Sequence, residues 1–363
     1  MKRVGGLWPD LTSFPNLLRA AHRAAAGKRS RPDVAAFLLN LEPNLVTLRA
    51  ALLAGAYAPG PYRCFRIRDP KPRLISAAPF RDRVVHHALT QVLEPVFEPR
   101  FSADSFACRT GFGTHRALAR AKDGARRFPY VLKCDIRKYF PSIDHEILKN
   151  LLARAVKCRA TLDLASRIID ASNPQEEVVR YFPGDDLFTP LERRRGLPLG
   201  NQTSQFFANV YLNPLDQAVA RHLRPPLYAR YVDDFILFAG RKDQLAAARR
   251  AIADQLDLLR LDMHPGKSRV YRTADGFTFL GWRIFPDRTR LVRGNVVKFR
   301  GRMRALAAAF ARGELDWEQV NPKVRAWIAH AASGDTWRLR RQIFEQFAFR
   351  RSAQGRALPR RHK

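Results

Sequence analysis

The chain has 363 residues, and its 65 Lys and Arg residues against 33 Asp and Glu residues give a formal net charge of +32. Its hydrophobic fraction of 46% excludes a wholly disordered chain, and its apolar runs fall far short of the roughly 20 residues that a membrane span needs. The N-terminus lacks the apolar core of a signal peptide and the four cysteines form no CxxC pair, so we expect a cytoplasmic protein without disulfides, a zinc site or a membrane partner. The charge excess favours nucleic acid as the partner over a solvated basic surface, a ribosome-associated protein or a membrane-surface protein.

The first 60 residues are predicted to form a helical extension. Apolar residues recur there at helical spacing over 16–26 and 45–54. Pro59 and Pro61 interrupt this pattern. Residues 62–75 then alternate like two short strands with Arg and Lys interleaved, which predicts a basic hairpin.

The middle of the chain is predicted to mix helices and strands, and the end to be basic and helical. The segment YVLKCD (130–135) is a short apolar strand that ends in an acid, and YARYVDDFILF (228–238) has two apolar runs around an acidic pair, which favours a hairpin. The periodicity predicts helices over 82–96, 114–127, 144–155, 201–223 and 242–261, a loop over 171–196, β character over 276–285 and helices from Val296 onward.

Three acids on separate β elements form the main candidate site. Asp135 ends the predicted strand, and Asp233 and Asp234 lie at the tip of the predicted hairpin. If the strand and hairpin lie side by side, the carboxylates converge and need cations, and hard oxygen ligands suit Mg²⁺ or Mn²⁺. Two such ions would support an in-line displacement that releases pyrophosphate. The alternative is that the Asp-Asp pair is a surface turn and Asp135 a strand-end cap.

A second candidate site is the stretch GLPLGNQTSQ (196–205), which comes directly before an apolar helix. The Gly and Pro residues force irregular backbone, and small polar residues then open the helix. The amides there would border a nucleotide or a template strand. An ordinary loop and helix cap is the alternative.

Several motifs in order resemble those of reverse transcriptases, particularly the bacterial ones of the group II intron type. The resemblance implies an α+β right-hand polymerase with an N-terminal helical extension (1–60), fingers and a palm with an antiparallel sheet (61–290), and a helical thumb with a basic tail (291–363). The motifs that carry it are KPRLISAAPFRDRVVHHAL (71–89), DSFACRTGFGTHRAL (104–118), KCDIRKYFPSID (133–144), GLPLGNQTSQFFANVYLNPLD (196–216), RYVDDFILF (230–238), HPGKSRV (264–270) and FTFLGWRIF (277–285).

The resemblance implies catalytic and metal-binding roles for particular positions. Asp135 and Asp233 would bind two Mg²⁺ ions, or Mn²⁺ ions, with Asp234 assisting and the carbonyl of Ile136 as a further ligand. Lys267 would be a general acid for the leaving pyrophosphate, the alternative being a solvated lysine.

The resemblance also places residues around the nucleotide and the primer. Phe140 would be the steric gate that excludes the ribose 2′-hydroxyl, so that dNTPs are the substrates. Lys71 and Arg73, with Arg109 as a weaker candidate, would grip the triphosphate, as cationic forks do. Gly281 and Trp282 would form the primer grip, unless Trp282 is simply packed in the core. Trp327 and Trp337 are expected to pack between helices.

Two nucleotide-binding positions depart from the usual motif Q-G-x-x-x-S-P, because Leu199 stands in place of the Gln and Gln205 in place of the Pro. This form resembles the reverse transcriptases of diversity-generating retroelements, which copy a template RNA with errors at adenines and work with a basic homopentameric accessory protein. The resemblance thus implies template RNA, the cDNA and its RNA–DNA duplex, and dNTPs as partners in a bacterial or phage-encoded system. A stand-alone group II-like or phage-defence enzyme and a non-catalytic RNA-binding splicing cofactor are the alternatives.

Overall fold

The computed structural model describes residues 2–68, 72–173 and 178–351 of an α+β chain. Antiparallel strands form three separate sheets with helices packed around them. The strands are β1 (Arg63–Ile67), β2 (Arg73–Ala77), β3 (Tyr130–Asp135), β4 (Leu227–Tyr231), β5 (Asp234–Ala239), β6 (Arg269–Arg272), β7 (Phe277–Phe279), β8 (Trp282–Ile284) and β9 (Thr289–Leu291). The helices are α1 (Leu7–Thr12), α2 (Phe14–Ala25), α3 (Pro32–Leu39), α4 (Leu41–Leu53), α5 (Phe80–Phe97), α6 (Thr114–Arg127), α7 (Tyr139–Ser142), α8 (His145–Ala155), α9 (Arg159–Asp170), α10 (Thr189–Glu192), α11 (Gln202–Ala218), α12 (Lys242–Leu258), α13 (Arg293–Ala311), α14 (Trp317–Ala331) and α15 (Trp337–Gln346).

The N-terminal region is helical, as the apolar periodicity predicts. Helices α1, α2 and α3 pack on α5, and α4 packs on these three. The Ser13 hydroxyl caps α2 by accepting from the Asn16 amide. The buried Asn16 side chain in turn donates to the Ala88 carbonyl of α5 at 3.2 Å. Within the described ranges no single helix is long and apolar enough to cross a membrane, and only α3 and α4 together, bent by 89°, reach that length and composition.

The central sheet has the strand order β4-β5-β3-β6 and is buried on both faces. Alternate side chains of β3 and β5 enter two different cores: Leu132 and Phe235 join the one that contains α5, α8, α11 and α12. Val131 and Ile236 join the other, which contains α6 and β7–β9. Two buried faces explain why YVL and FILF are continuous apolar runs instead of alternating ones.

The C-terminal helices α13–α15 form a small core of their own. The ring of Trp327 stacks on Phe299 with centroids 3.7 Å apart, as the predicted packing requires. Trp337 is 68% exposed, so the prediction that it packs between helices is wrong. The buried members of this core are Phe299, Met303, Val320, Val324 and Ile343.

Two further differences from the sequence prediction concern helices. Helix α9 was not predicted, although its apolar stripe of Leu164, Ile168 and related residues is buried against the core. The predicted helix over 201–223 ends its α-helical part at Ala218, and the chain continues as a π-helical turn over Val219–Leu223. The predicted division into extension, fingers and palm, and thumb stays a prediction.

Candidate active site

The three predicted acids lie together at one end of the central sheet. β3 and β5 are antiparallel in a register that places Asp135 directly opposite Asp234. Asp233 occupies the turn between β4 and β5, next to that pair. The convergence that the sequence predicts for the strand and the hairpin is therefore confirmed.

A buried ion pair holds the hairpin turn that carries Asp233. Val232 has a φ of +58°, which is unfavourable for a β-branched residue. Its carbonyl accepts a hydrogen bond from Arg230 Nη1 at 3.0 Å. The Arg230 guanidinium is completely buried and forks onto Asp216 of α11, with Nε to Oδ1 at 2.7 Å and Nη2 to Oδ2 at 2.6 Å. The pair thus ties the hairpin turn to helix α11.

Burial and mutual repulsion set the electrostatics of the acids. Burial raises the pKa of Asp234 to about 7, and the like charges of Asp233 and Asp135 add to the rise. The Lys133 ammonium, 3.5 Å away, acts in the opposite direction and lowers this pKa. Burial and the Asp135 charge also raise the pKa of Asp233, while Lys267 and Arg73 lower it. A desolvated cluster of this kind is short of positive charge.

Two predicted cations lie close to these acids. Lys267 Nζ contacts Asp135 Oδ2 at 2.6 Å from the turn before β6, and the His264 amide donates to the Asp135 carbonyl at 2.7 Å. Arg73, at the start of β2, is near enough for its charge to act on Asp233. The third predicted cation, Lys71, lies outside the described residues.

The acids offer the oxygen ligands that divalent cations prefer. Across the ranges that the structure describes, no three acidic, His or Cys side chains are grouped as a ready metal site, and Lys267 and Lys133 form ion pairs with Asp135 and Asp234. Asp234 Oδ1, however, is buried with no partner among the described residues. Hard oxygen donors in a desolvated, mutually repelling cluster are what Mg²⁺ binds. The Ile136 carbonyl takes no part in the bridge to Met263, which uses the Asp135 carbonyl and the Arg137 amide.

The predicted steric gate and the departing motif lie on adjoining segments. The Leu197 amide donates to the Phe140 carbonyl at 2.9 Å, and the Ser76 amide of β2 donates to the Leu199 carbonyl at 3.1 Å. The rings of Phe140 and Tyr139 meet edge to face, and both Phe140 and Leu199 are half-buried. The 196–200 loop therefore joins the basic hairpin to the segment that follows Asp135.

The remaining predicted residues lie further from the acids or inside the core. Gln205 is exposed on the first turn of α11, with its amide oxygen 3.6 Å from Cys108 Sγ. The prediction that Arg109 binds the triphosphate is wrong. Its guanidinium is nearly buried and donates to Glu98 at 2.7 Å and to two backbone carbonyls.

The two residues predicted to form the primer grip, Gly281 and Trp282, occupy the turn between β7 and β8 and the start of β8. Gly281 has a φ of +83°, which favours glycine there. The indole of Trp282 is fully buried beside His330 and Gly334, so it packs in the core, the alternative that the sequence left open. A primer contact of Gly281 stays a prediction.

The structure combines an antiparallel sheet that ends in converging carboxylates, a basic hairpin joined to the 196–200 loop, and helices packed around the sheet. This is the architecture of a right-hand polymerase. Residues 67–284 match the family described as reverse transcriptase (RNA-dependent DNA polymerase). The chain therefore belongs to the reverse transcriptase family, whose members are RNA-directed DNA polymerases.

Similar proteins include intron-encoded ones. The chain is 27% identical to protein YkfC of Escherichia coli over 299 residues, which cover 71% of this chain and 75% of YkfC. It is 28% identical to the group II intron-encoded protein LtrA of Lactococcus lactis over 184 residues, which are 49% of this chain but only 28% of LtrA. The chain is also similar to a solved structure of telomerase from Candida tropicalis, with a TM-score of 0.47 and 15% identity. The match covers 64% of this chain and 55% of the telomerase chain.

Proposed function

We propose that the protein makes cDNA from a template RNA by nucleotidyl transfer at the site formed by Asp135, Asp233 and Asp234. The observation that carries this proposal is the β3–β5 register, which places Asp135 opposite Asp234 and beside the turn with Asp233. A basic platform for RNA would have no use for three carboxylates that repel each other in a desolvated site.

The reaction joins the 3′-hydroxyl of a primer to the α-phosphate of a dNTP, with pyrophosphate as the leaving group. Two divalent cations, held by the three acids and the Ile136 carbonyl, would supply the charge that activates the hydroxyl and neutralises the phosphates. The charge of Arg73 acts on Asp233, which supports a role for Arg73 in binding the triphosphate. The 2.6 Å contact between Lys267 Nζ and Asp135 Oδ2 supports a role for Lys267 as the general acid that protonates the leaving pyrophosphate.

Primer extension tests this function directly. The full chain is incubated with a DNA primer annealed to an RNA template, dNTPs and Mg²⁺, and the products are resolved by length. We expect templated extension that EDTA abolishes and excess Mg²⁺ restores. A protein that binds the duplex but extends no primer on any RNA template contradicts the proposal and favours the splicing-cofactor alternative.

Substituting Phe140 by Ala should relax the choice of sugar. Removing the ring opens space for a 2′-hydroxyl, so we expect ribonucleotide incorporation relative to dNTP incorporation to rise about 10- to 200-fold. Phe140→Tyr, which keeps the ring, is the control and should retain the wild-type ratio. An unchanged ratio in Phe140→Ala would show that another residue excludes ribonucleotides.

We further propose that the enzyme belongs to a diversity-generating retroelement and is error-prone at template adenines. Leu199 supports this proposal, since an apolar, half-buried side chain stands where most relatives have a glutamine that can hydrogen-bond the incoming nucleotide. Without that hydrogen bond, the difference in binding free energy between a correctly paired and a mispaired nucleotide is smaller. The cellular setting proposed is the cytoplasm of a bacterium, with a basic homopentameric accessory protein as partner.

Leu199→Gln should lower the error rate at template adenines. One restored hydrogen bond is worth about 1 kcal/mol, so we expect about a tenfold effect at most. cDNA copied from a defined RNA is sequenced for the wild type, for Leu199→Gln and for Leu191→Gln, whose leucine is exposed outside the loop. Wild-type error rates that are no higher at template adenines than elsewhere would contradict the proposal of adenine-specific errors. Such a result would leave the proposed polymerase function intact.

A group II intron-type role is the second candidate, because LtrA is an intron-encoded protein and an Arabidopsis thaliana relative, 34% identical over 85 residues, is a nuclear intron maturase. Those residues are 23% of this chain and 12% of the maturase. Sequencing the RNA that co-purifies with the full chain separates the candidates. An intron would favour this second role, whereas an RNA that matches a nearby gene except at adenines would favour the first.

A further inference from the structure

A small cavity at the N-terminus of α11 has none of the three acids in its lining, although it includes Gly200, Asn201, Gln202 and Gln205 of the candidate stretch 196–205. Its volume is about 210 Å³, and it lies between α2, α5 and the first turn of α11. Lining residues include Arg23, Lys28, Arg83, His86, Asn201 and Gln205. Two of the three cations, Arg23 and Lys28, precede residues 67–284 that match the reverse transcriptase family.

Buried polar groups in this cavity lack partners. His86 is 1% exposed, and neither ring nitrogen has a hydrogen-bond partner among the described residues. The same holds within those ranges for Asn201 Nδ2, on a residue 3% exposed, and for Arg83 Nε. Leaving several buried donors unpaired is costly, which points to a missing acceptor.

Positive charge is crowded around the same cavity. The pKa of Lys28 is lowered by burial and then by the charges of Arg83 and Arg31, against Asp33. Burial, followed by the charges of Arg23, Lys28 and Arg83, lowers the pKa of His87 to about 4. One carboxylate, Asp33, pairs with Arg83 at 2.6 Å, and Glu94 faces Arg23. An anion between these cations would relieve their repulsion.

The helix N-terminus adds to this field. Asn201 is the N-cap of the 17-residue helix α11, and its side chain makes no capping hydrogen bond to the first amides. Helix N-termini carry partial positive charge and present amides to phosphate oxygens. The unpaired donors, the cations and the helix N-terminus therefore all favour an anionic ligand that accepts hydrogen bonds.

We propose that this cavity binds one phosphate group. Its volume is below the roughly 300–1,000 Å³ of ordinary small-molecule pockets, which suits a single phosphate better than a whole nucleotide. The phosphate is either one phosphodiester of the single-stranded template or a free phosphate ion. Gly200 and Gln202 connect the cavity directly to the Leu199 loop, so a strand held here would be fixed close to the proposed nucleotide site. The phosphodiester source rests on the proposed function.

The test measures binding without dNTPs, so it does not depend on catalysis. Primer–template duplexes carry one uncharged methylphosphonate at successive positions of the template's single-stranded extension. Their affinities are compared for the full-length wild type, for the double variant Arg23→Gln/Lys28→Gln and for the charge-matched control Lys2→Gln/Arg29→Gln, whose residues do not line the cavity. In parallel, inorganic phosphate is added at constant ionic strength and the Tm of each protein is measured.

A template phosphodiester predicts that the methylphosphonate at one position weakens wild-type and control binding about tenfold, as the loss of a charge-assisted contact does. The methylphosphonate at that position should then change the affinity of the double variant little. A free phosphate predicts a Tm rise in the wild type and control that the double variant lacks, with no position effect. If neither readout separates the double variant from the control, the cavity is not a phosphate site, and this outcome leaves the polymerase function untouched.

Discussion

Asp233→Asn is expected to reduce dNTP incorporation by about 1,000-fold or more. The substitution keeps the size of the side chain but removes the carboxylate that adjoins Asp135 and Asp234 at the hairpin turn. Divalent cations contribute several kcal/mol of transition-state stabilisation, and each 1.4 kcal/mol is a tenfold change in rate. The measurement is single-nucleotide primer extension at saturating dNTP.

RNA affinity should stay at the wild-type level in Asp233→Asn, since the chain's large excess of cations is unaltered. Asp254→Asn is the matched control: Asp254 is exposed on α12, and we expect its substitution to leave both activity and binding unchanged. Incorporation by Asp233→Asn within tenfold of the wild type would show that the three acids are not the catalytic centre.

Asp216→Asn is expected to destabilise the protein by about 3–5 kcal/mol. The substitution leaves the completely buried Arg230 guanidinium without its counter-ion, and a buried charge that loses its partner carries a cost of this size. The Tyr228 hydroxyl donates to Asp216 Oδ1 at 2.8 Å, and this hydrogen bond also weakens when its acceptor is no longer charged. Because Arg230 also holds the Val232 carbonyl, incorporation should fall together with stability.

Chemical unfolding of Asp216→Asn against the wild type gives this free energy. Asp254→Asn serves again as the control, with an expected change within about 0.5 kcal/mol. A loss below about 1 kcal/mol for Asp216→Asn would mean that the ion pair contributes little and that the hairpin turn is held by other contacts.

Much of the central sheet can be predicted from local pattern. The bounds of β3 and α6 agree with prediction because each element is a short run with a clear apolar pattern that ends at a charged or polar residue. The convergence of Asp135 with the Asp-Asp pair follows once the strand and the hairpin are paired in one sheet. These features depend on residues close together in the chain or on a single strand pairing.

Features set by distant contacts were not predictable in the same way. Arg230 and Asp216 each look like ordinary surface residues in the sequence, and only the packing of α11 on β4 buries them as a pair. Arg109 is similar, since the resemblance suggests a triphosphate ligand whereas Glu98 and two carbonyls bind its guanidinium. The cavity near His86 is formed by α2, α5 and α11, three helices that lie far apart in the sequence.

Cleavage of the protein by bound Fe²⁺ tests the central claim, that acids from two separate parts of the chain form one cation-binding polymerase site. Fe²⁺ replaces Mg²⁺ in the full chain, and ascorbate with peroxide generates radicals that cut the backbone near the ion. We expect cuts both near Asp135 and near Asp233, lost together when Mg²⁺ competes or when Asp135 is replaced by Asn. Cuts confined to one of these segments, or located elsewhere in the chain, would contradict a shared site.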